Sequence, residues 1–328
     1  MQGGGVVNKL KQCFDFFMIA IGPCQNRVKK KPCGNSCLKF YATRPISWVK
    51  KQRQRSHFPA TAIVPMITNL ISGLLAPCFA LYACAKSRRY WRQCRRLYTF
   101  QPIYRTSGAL LAVELLTAVY HPNEPDKRQS PEQYFASLGV AQRLRVIQEQ
   151  LALLQRWQAL FIRHAVMVSV NIDGMALQAL QRHSELQRQI AEMPYLRFEL
   201  VEHAETASNR PLQQIVGGER LWLDDFGSGL ANFSAVGAWR YQYIKVAREL
   251  FTLLKQSEEG VQLLGTLIKM MNQHSDGVIV EGVETEQEWR LVQRSGALAA
   301  QGYYLSRPAC FETLHSVPTL FAAPGAPA

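Results

Sequence analysis

Residues 221–234 read LWLDDFGSGLANFS: three apolar residues, two adjacent acids, then a Gly-Ser-Gly turn. So short an apolar run, bounded by glycine, reads as a buried strand rather than a helix. The strand is expected over Leu221–Leu223, ending on Asp224 and Asp225, and Gly227 lets the chain turn sharply behind them. The pattern recurs in both directions. Strands are expected at Ala112–Leu115, Val166–Val170, Arg197–Val201, Tyr243–Val246, Gly277–Val280 and Ala300–Tyr303. Between them lie amphipathic stretches that predict helices, among them 131–160, opened by Pro131, and 258–273.

Polar residues stand within or just after these strands: Glu114, Asn171, Glu199, the Asp224-Asp225 pair, Lys245, Glu281 with Glu284, and Gln301. From Asn171 onward the gaps are 28, 25, 21, 36 and 20 residues, each about the length of one strand-helix repeat. Alternation of this kind predicts an α/β fold with a parallel sheet, and the length suits a barrel with an extension. In such a barrel the strands all end on one rim, where catalytic groups from different strands meet. The competing explanation makes each acid the cap of its following helix. That covers Asp224 or Asp225 but neither Lys245 nor Gln301, so a shared site is the better reading.

Glu114, Asn171, Glu199, Asp224 and Asp225 offer only oxygen ligands, and no histidine occupies a strand end. Such a set suits Mg²⁺ or Mn²⁺ rather than zinc. Adjacent aspartates allow one carboxylate to bridge two ions, and two ions about 4 Å apart serve in-line displacement at a phosphodiester. Lys245 would orient the attacking water or offset phosphoryl charge, and Glu281 is the candidate to take the water's proton. Asp225-Phe226-Gly227 also matches the metal-binding triplet of protein kinases, but the Gly-rich loop, strand lysine and catalytic loop of that fold are missing.

The rest of the chain narrows the class. It has 328 residues, 48% of them hydrophobic, enough to bury a sizeable core. The formal charge of +14 is misleading, because twelve Lys/Arg and one acid fall in residues 1–56, leaving 26 bases against 23 acids. A nucleic-acid polymer is therefore not an expected partner of the body. Six of eight cysteines precede residue 90, so the body has no disulfide framework and fits a reducing, cytoplasmic setting. Cys33 and Cys37 lack a second ligand pair for zinc. Residues 59–85 carry no charge, which raises a membrane anchor over 60–85 as the lesser alternative, weakened by Pro65, Pro77 and several polar residues.

The blocks LDDFGSGLANFS, YIKVARELF, VIVEGVETEQEW and AAQGYYLSRP, with upstream QPIY, VELL and RFELVEH, together resemble the EAL-domain cyclic di-GMP phosphodiesterases over about residues 92–315. The likeness extends to the stand-alone, flagellar-regulon members of enteric bacteria, whose leader carries an Arg-Arg-aromatic-Trp stretch like Arg88–Trp91. The resemblance implies a modified TIM-type barrel spanning 92–316, an apolar leader over 66–91 and a tail over 317–328. It also makes residues 1–65 an irregular, basic extension, expected to be an over-extended start ahead of Met66. The activity implied is hydrolysis of cyclic di-GMP to linear 5'-pGpG with two Mg²⁺ or Mn²⁺ ions, favouring motility over biofilm.

By the same resemblance Glu114, Asn171, Glu199 and Asp224 serve the first metal, and Asp224 with Asp225 the second. Lys245 and Glu281 activate water, Glu202 holds the loop after Asp225, and Glu284 supports the site. Gln101 and Gln301 lie near the substrate. A homodimer through the face near 228–240, and protein partners in cyclic di-GMP signalling, are also implied. One departure matters: the family carries an arginine four residues after the first glutamate, against a substrate phosphate, where this chain has Ala118. Losing one charge-assisted contact costs about 1.5–3 kcal/mol. The alternative function is a catalytically weak module that binds the dinucleotide or a protein, but such modules are expected to have lost metal ligands.

Overall fold

The computed structural model describes residues 85–200, 218–228, 236 and 240–322. Glu202, most of the 228–240 stretch and the membrane and extension readings for residues 1–84 lie outside the described residues. Among the described residues no helix is long and apolar enough to cross a membrane.

Eight strands close a ring. β1 (Arg95–Arg105) and β2 (Leu110–His121) form an antiparallel hairpin. β2 is followed by parallel neighbours β4 (Met167–Ile172), β5 (Leu196–Leu200), β6 (Leu221–Phe226), β7 (Tyr243–Val246), β8 (Val278–Glu281) and β9 (Ala299–Gln301). β9 then pairs antiparallel with β1 and completes the barrel. β3 (Glu124–Gln129) extends β2, and β10 (Ala309–Cys310) adds to the upper half of β1. The barrel class predicted from strand-helix repeats is thus observed, with one strand reversed.

The sequence periodicity stratifies the barrel. In a strand, residues two apart share a face. Ala112, Trp222, Tyr243, Ile279 and Ala299 pack into one apolar interior cluster with Ile103 and Leu111. Two residues further along the same faces come Glu114, Asp224, Lys245, Glu281 and Gln301. On the reversed strand Gln101 precedes Ile103 by the same interval. The lower barrel is an apolar plug, and the polar layer rests directly on it. The opposite faces pack a larger core against the helices, including Phe100, Leu115, Val170, Phe198, Leu223 and Val280.

The expected helix over 131–160 is three helices: α1 (Pro131–Ser137), α2 (Val140–Arg156) and α3 (Gln158–His164). Leu138 takes an extended conformation and ends α1, and Gly139 opens α2 with its N–H donating to Gln142 Oε1. A second break falls at Trp157, whose φ of −103° and ψ of 6° interrupt the ladder. α4 (Gly174–Leu180) and α5 (Ser184–Ala191) follow β4, and α6 (Arg248–Leu254) and α7 (Glu258–Met271) follow β7. α8 (Glu286–Arg294) follows β8 and opens with a Thr285–Glu288 capping box.

Both ends of the described chain are tied to the barrel. Residues 85–92 are helical, and Tyr90 stacks on His121 of β2 at 3.9 Å. After the last helical turns, Leu110 N–H donates to Thr319 O and Phe321 N–H to Gly108 O, both at 2.8 Å. Residues 317–322 thereby cover the β1–β2 turn rather than trailing free.

Candidate active site

Lys245 is the hub of the polar layer. It is 1% exposed, and its Nζ lies 2.7 Å from Glu281 Oε1, 2.9 Å from Glu199 Oε2, 3.2 Å from Asp224 Oδ1 and 3.3 Å from Glu114 Oε2. Gln301 Nε2 donates to Glu114 Oε2 at 2.7 Å and to Gln101 Oε1 at 3.2 Å, and Asn171 Nδ2 donates to Glu114 Oε1 at 3.0 Å. Eight strands therefore contribute to one constellation, as the recurring strand-end acids predicted.

The capping alternative fails where it can be checked. The helix after β4 is capped by Asp173, whose Oδ1 accepts from Ala176 N–H, so Asn171 is left for the site. The helix after β8 is capped by Thr285, not Glu281.

Asp225 completes the acidic set through an unusual backbone. Its φ is +56°, in the left-handed region that a residue with a Cβ rarely occupies. The β6–β7 register shifts between Leu223 and Phe226, so a bulge turns Asp225 toward the same rim as Asp224. Gly227 follows at φ +89°, and a Cβ there would meet Leu250 Cδ2 at 2.3 Å. Oxygens of Asp224, Asp225 and Glu281 come within 4.8 Å of one another.

Five carboxylates thus face one lysine, and burial governs their proton affinities. Glu281 is pushed up to about 8 by burial, with Lys245 opposing and Asp224 and Glu114 adding to the rise. Burial and the neighbouring Asp224 raise Asp225 to about 6. Burial also lifts Glu199 and Asp224 above the usual carboxylate range. At Glu114 burial is outweighed by Lys245 and by hydrogen bonds from Gln301 and Asn171, which hold the carboxyl down. At Lys245 burial is likewise outweighed by four carboxylates, and the ammonium stays charged.

Uncompensated acids of this kind fit divalent cations. Glu199 Oε1 and Gln301 Oε1 are buried without a hydrogen bond of good geometry, and every donor in the set is oxygen, the chemistry of Mg²⁺ or Mn²⁺. A consequence for stability follows from Glu281. Unfolded, it releases its proton near its ordinary 4.5; folded, it holds it to about 8. Between those values the folded chain binds more protons, so stability falls as pH rises. With a chelator present the melting temperature is expected to drop between about pH 5 and 8, and Mn²⁺ is expected to cancel the drop. A melting temperature that climbs across this window in chelator would contradict the arrangement.

Glu284 is not part of the buried cluster. It is 41% exposed and pairs with Arg248 at 2.8 Å, bridging the segments after β7 and β8. Sequence reading missed Arg248; its place three residues after Lys245, at the start of a helix, was the available signal. Ala118 is buried on the Glu114 face of β2, opposite Leu97.

A family model described as the EAL domain matches residues 85–308. The chain is 52% identical over 251 residues to the cyclic di-GMP phosphodiesterase PdeH of Escherichia coli, covering 76% of this chain and 98% of that one. Among solved structures, the EAL-like domain protein YdiV superposes with a TM-score of 0.62 at 18% identity, covering 71% of this chain and 99% of that one. The manganese and cyclic di-GMP complex of Klebsiella pneumoniae BlrP1 gives a TM-score of 0.53 at 21% identity, covering 66% of this chain and 56% of that one. At those identities the structural likenesses bear on the fold.

Proposed function

The chain belongs to the EAL-domain family, and we propose that it hydrolyses cyclic di-GMP to linear 5'-pGpG, lowering the second messenger and favouring motility over biofilm. The supporting observation is the buried ring of oxygen ligands around Lys245, complete in a chain half identical to a cyclic di-GMP phosphodiesterase. Glu114, Asn171, Glu199 and Asp224 would hold one divalent ion, and Asp224 with Asp225 a second, each Mg²⁺ or Mn²⁺. When bound, the ions supply Lewis acidity to the attacking and leaving oxygens of the phosphodiester.

The chain's own groups do the rest. Glu281 takes the proton of the attacking water, its proton affinity raised by burial toward the range a general base needs. Lys245 holds Glu281 in place at 2.7 Å and offsets charge on the phosphoryl oxygens. Gln101 and Gln301 orient substrate over Glu114, and Glu284 braces the rim through Arg248. Glu202, outside the described residues, is assigned the loop after Asp225. Pairing of two copies near 228–240 and protein partners in cyclic di-GMP signalling belong to the same proposal.

The full chain with Mn²⁺ or Mg²⁺ is expected to convert cyclic di-GMP to the linear dinucleotide, and a chelator is expected to stop it. Ala118 is the one observation that favours the second reading, a catalytically weak module serving as cyclic di-GMP receptor or protein partner. Tight binding without turnover in the presence of either ion would establish that reading instead.

A further inference from the structure

A substrate with two phosphodiesters needs cations at the mouth as well as in the floor, and most of those in view are committed. Lys245 is held by four carboxylates, and Arg248 is paired with Glu284. Ala118 offers no charge on the Glu114 face of β2. Arg307 differs from these. Among the described residues it forms no ion pair, and its guanidinium lies 4.4 Å from the centre of the Tyr303 ring.

The backbone ties the turn that leads to Arg307 to the polar layer. Gln301 ends β9 inside the polar layer, and the chain then makes a helical turn in which Leu305 and Ser306 N–H both donate to Gly302 O. Gly302 is pressed against the β8–α8 segment, where a Cβ would lie 2.0 Å from Val283 O, so the turn is pinned at its root. Leu305 is buried in the outer core and Tyr304 packs on Phe321, which fixes the outward face of the turn. Tyr303 and Arg307, four residues apart, share the remaining face, and both are exposed. Gln101 Nε2 donates to Ser306 O at 3.0 Å, which ties the residue before Arg307 to the same glutamine that Gln301 contacts. Beyond the turn, β10 pairs with Thr99 and Phe100 of β1, next to the strand that carries Ala118.

We propose that Arg307, stacked on Tyr303, is a substrate-positioning residue that grips a phosphate of the cyclic dinucleotide and takes over the contact that Ala118 cannot make. The inference rests on the hydrolase reading for its substrate. A guanidinium presents paired N–H donors to phosphate oxygens, and an aromatic face holds it flat without neutralising it.

The test measures turnover and equilibrium binding of cyclic di-GMP with full-length Arg307→Ala, Arg307→Lys, Ala118→Arg and the Ala118→Arg/Arg307→Ala double variant, in Mn²⁺. Arg307→Ala is expected to raise KM and Kd roughly tenfold to a hundredfold, the worth of one charged hydrogen-bonded contact, with the loss concentrated in KM rather than kcat. Arg307→Lys is expected to be intermediate, and the double variant to recover most of the affinity. Unchanged KM and Kd in Arg307→Ala, in a parent that hydrolyses the substrate, would overturn the proposal while leaving the hydrolase reading intact. A parent that binds without turnover, and binds more weakly after Arg307→Ala, would keep the proposal and overturn the hydrolase reading. A parent that neither binds nor hydrolyses would overturn both.

Discussion

Asp224→Asn is expected to lower hydrolysis of cyclic di-GMP by at least about a thousandfold, an increase in barrier of roughly 4 kcal/mol. Asp224 is the carboxylate proposed to serve both ions, so its loss weakens the stabilisation of attacking and leaving oxygens together. The amide keeps the shape of the side chain, which lies 7% exposed between Lys245 and Asp225. Folding is therefore expected to survive. Without metal the variant is expected to melt at a higher temperature than the parent, because burial already penalises that charge. The rise in melting temperature on adding Mn²⁺ is expected to shrink. The two readings must move in opposite directions. Retained turnover, or an undiminished response to Mn²⁺, would remove Asp224 from the metal site.

Much of this site is legible in the sequence because a strand has a period of two. Once Leu221–Leu223 is read as a strand ending on Asp224, the same rhythm brings Glu114, Glu199, Lys245, Glu281 and Gln301 to one layer, and those residues do meet. The reversed strand β1 is less legible. Arg95–Arg105 mixes arginines with Pro102 and is buried only in its second half, so it shows neither clean alternation nor a continuous apolar run. Gln101 could accordingly be assigned by resemblance but not by pattern. Helix breaks were hidden for a related reason. Gly139 is an ordinary breaker signal inside a long amphipathic run, whereas nothing in the sequence marks Trp157 as the point where α2 gives way to α3.

Glu284 shows the limit of strand-end logic. It follows β8 as closely as a site residue should, yet an arginine three residues beyond Lys245 draws it to the rim. Spacing along the chain says which strand end an acid belongs to. It does not say whether the acid turns inward to the lysine or outward to a helix start. Burial decides that, and burial depends on which side chains close over the layer.

Lys245→Met tests the electrostatic design of the layer as a whole. In the parent, one fully buried ammonium offsets Glu114, Glu199, Asp224 and Glu281. Removing one partner of a buried ion pair costs about 3–5 kcal/mol when the opposite charge stays unmet. That full cost is expected only well above pH 8, because Glu281 holds its proton to about 8 even beside Lys245 and holds it longer once the opposing charge is gone. Toward pH 5 the carboxyls take up protons instead, and the penalty is expected to fall. The difference in stability between parent and variant, measured by denaturant unfolding in chelator, should therefore widen as pH rises. Divalent cations supply the missing positive charge, so Mn²⁺ is expected to restore much of the stability. Turnover is expected to stay down by at least about a hundredfold, because an ion cannot replace the lysine that holds Glu281 and faces the phosphoryl oxygens. Recovery of stability without recovery of rate would separate the two roles of Lys245. If instead the stability gap were independent of pH and indifferent to Mn²⁺, the lysine would be a packing residue, and the acids around it would not form one electrostatic unit.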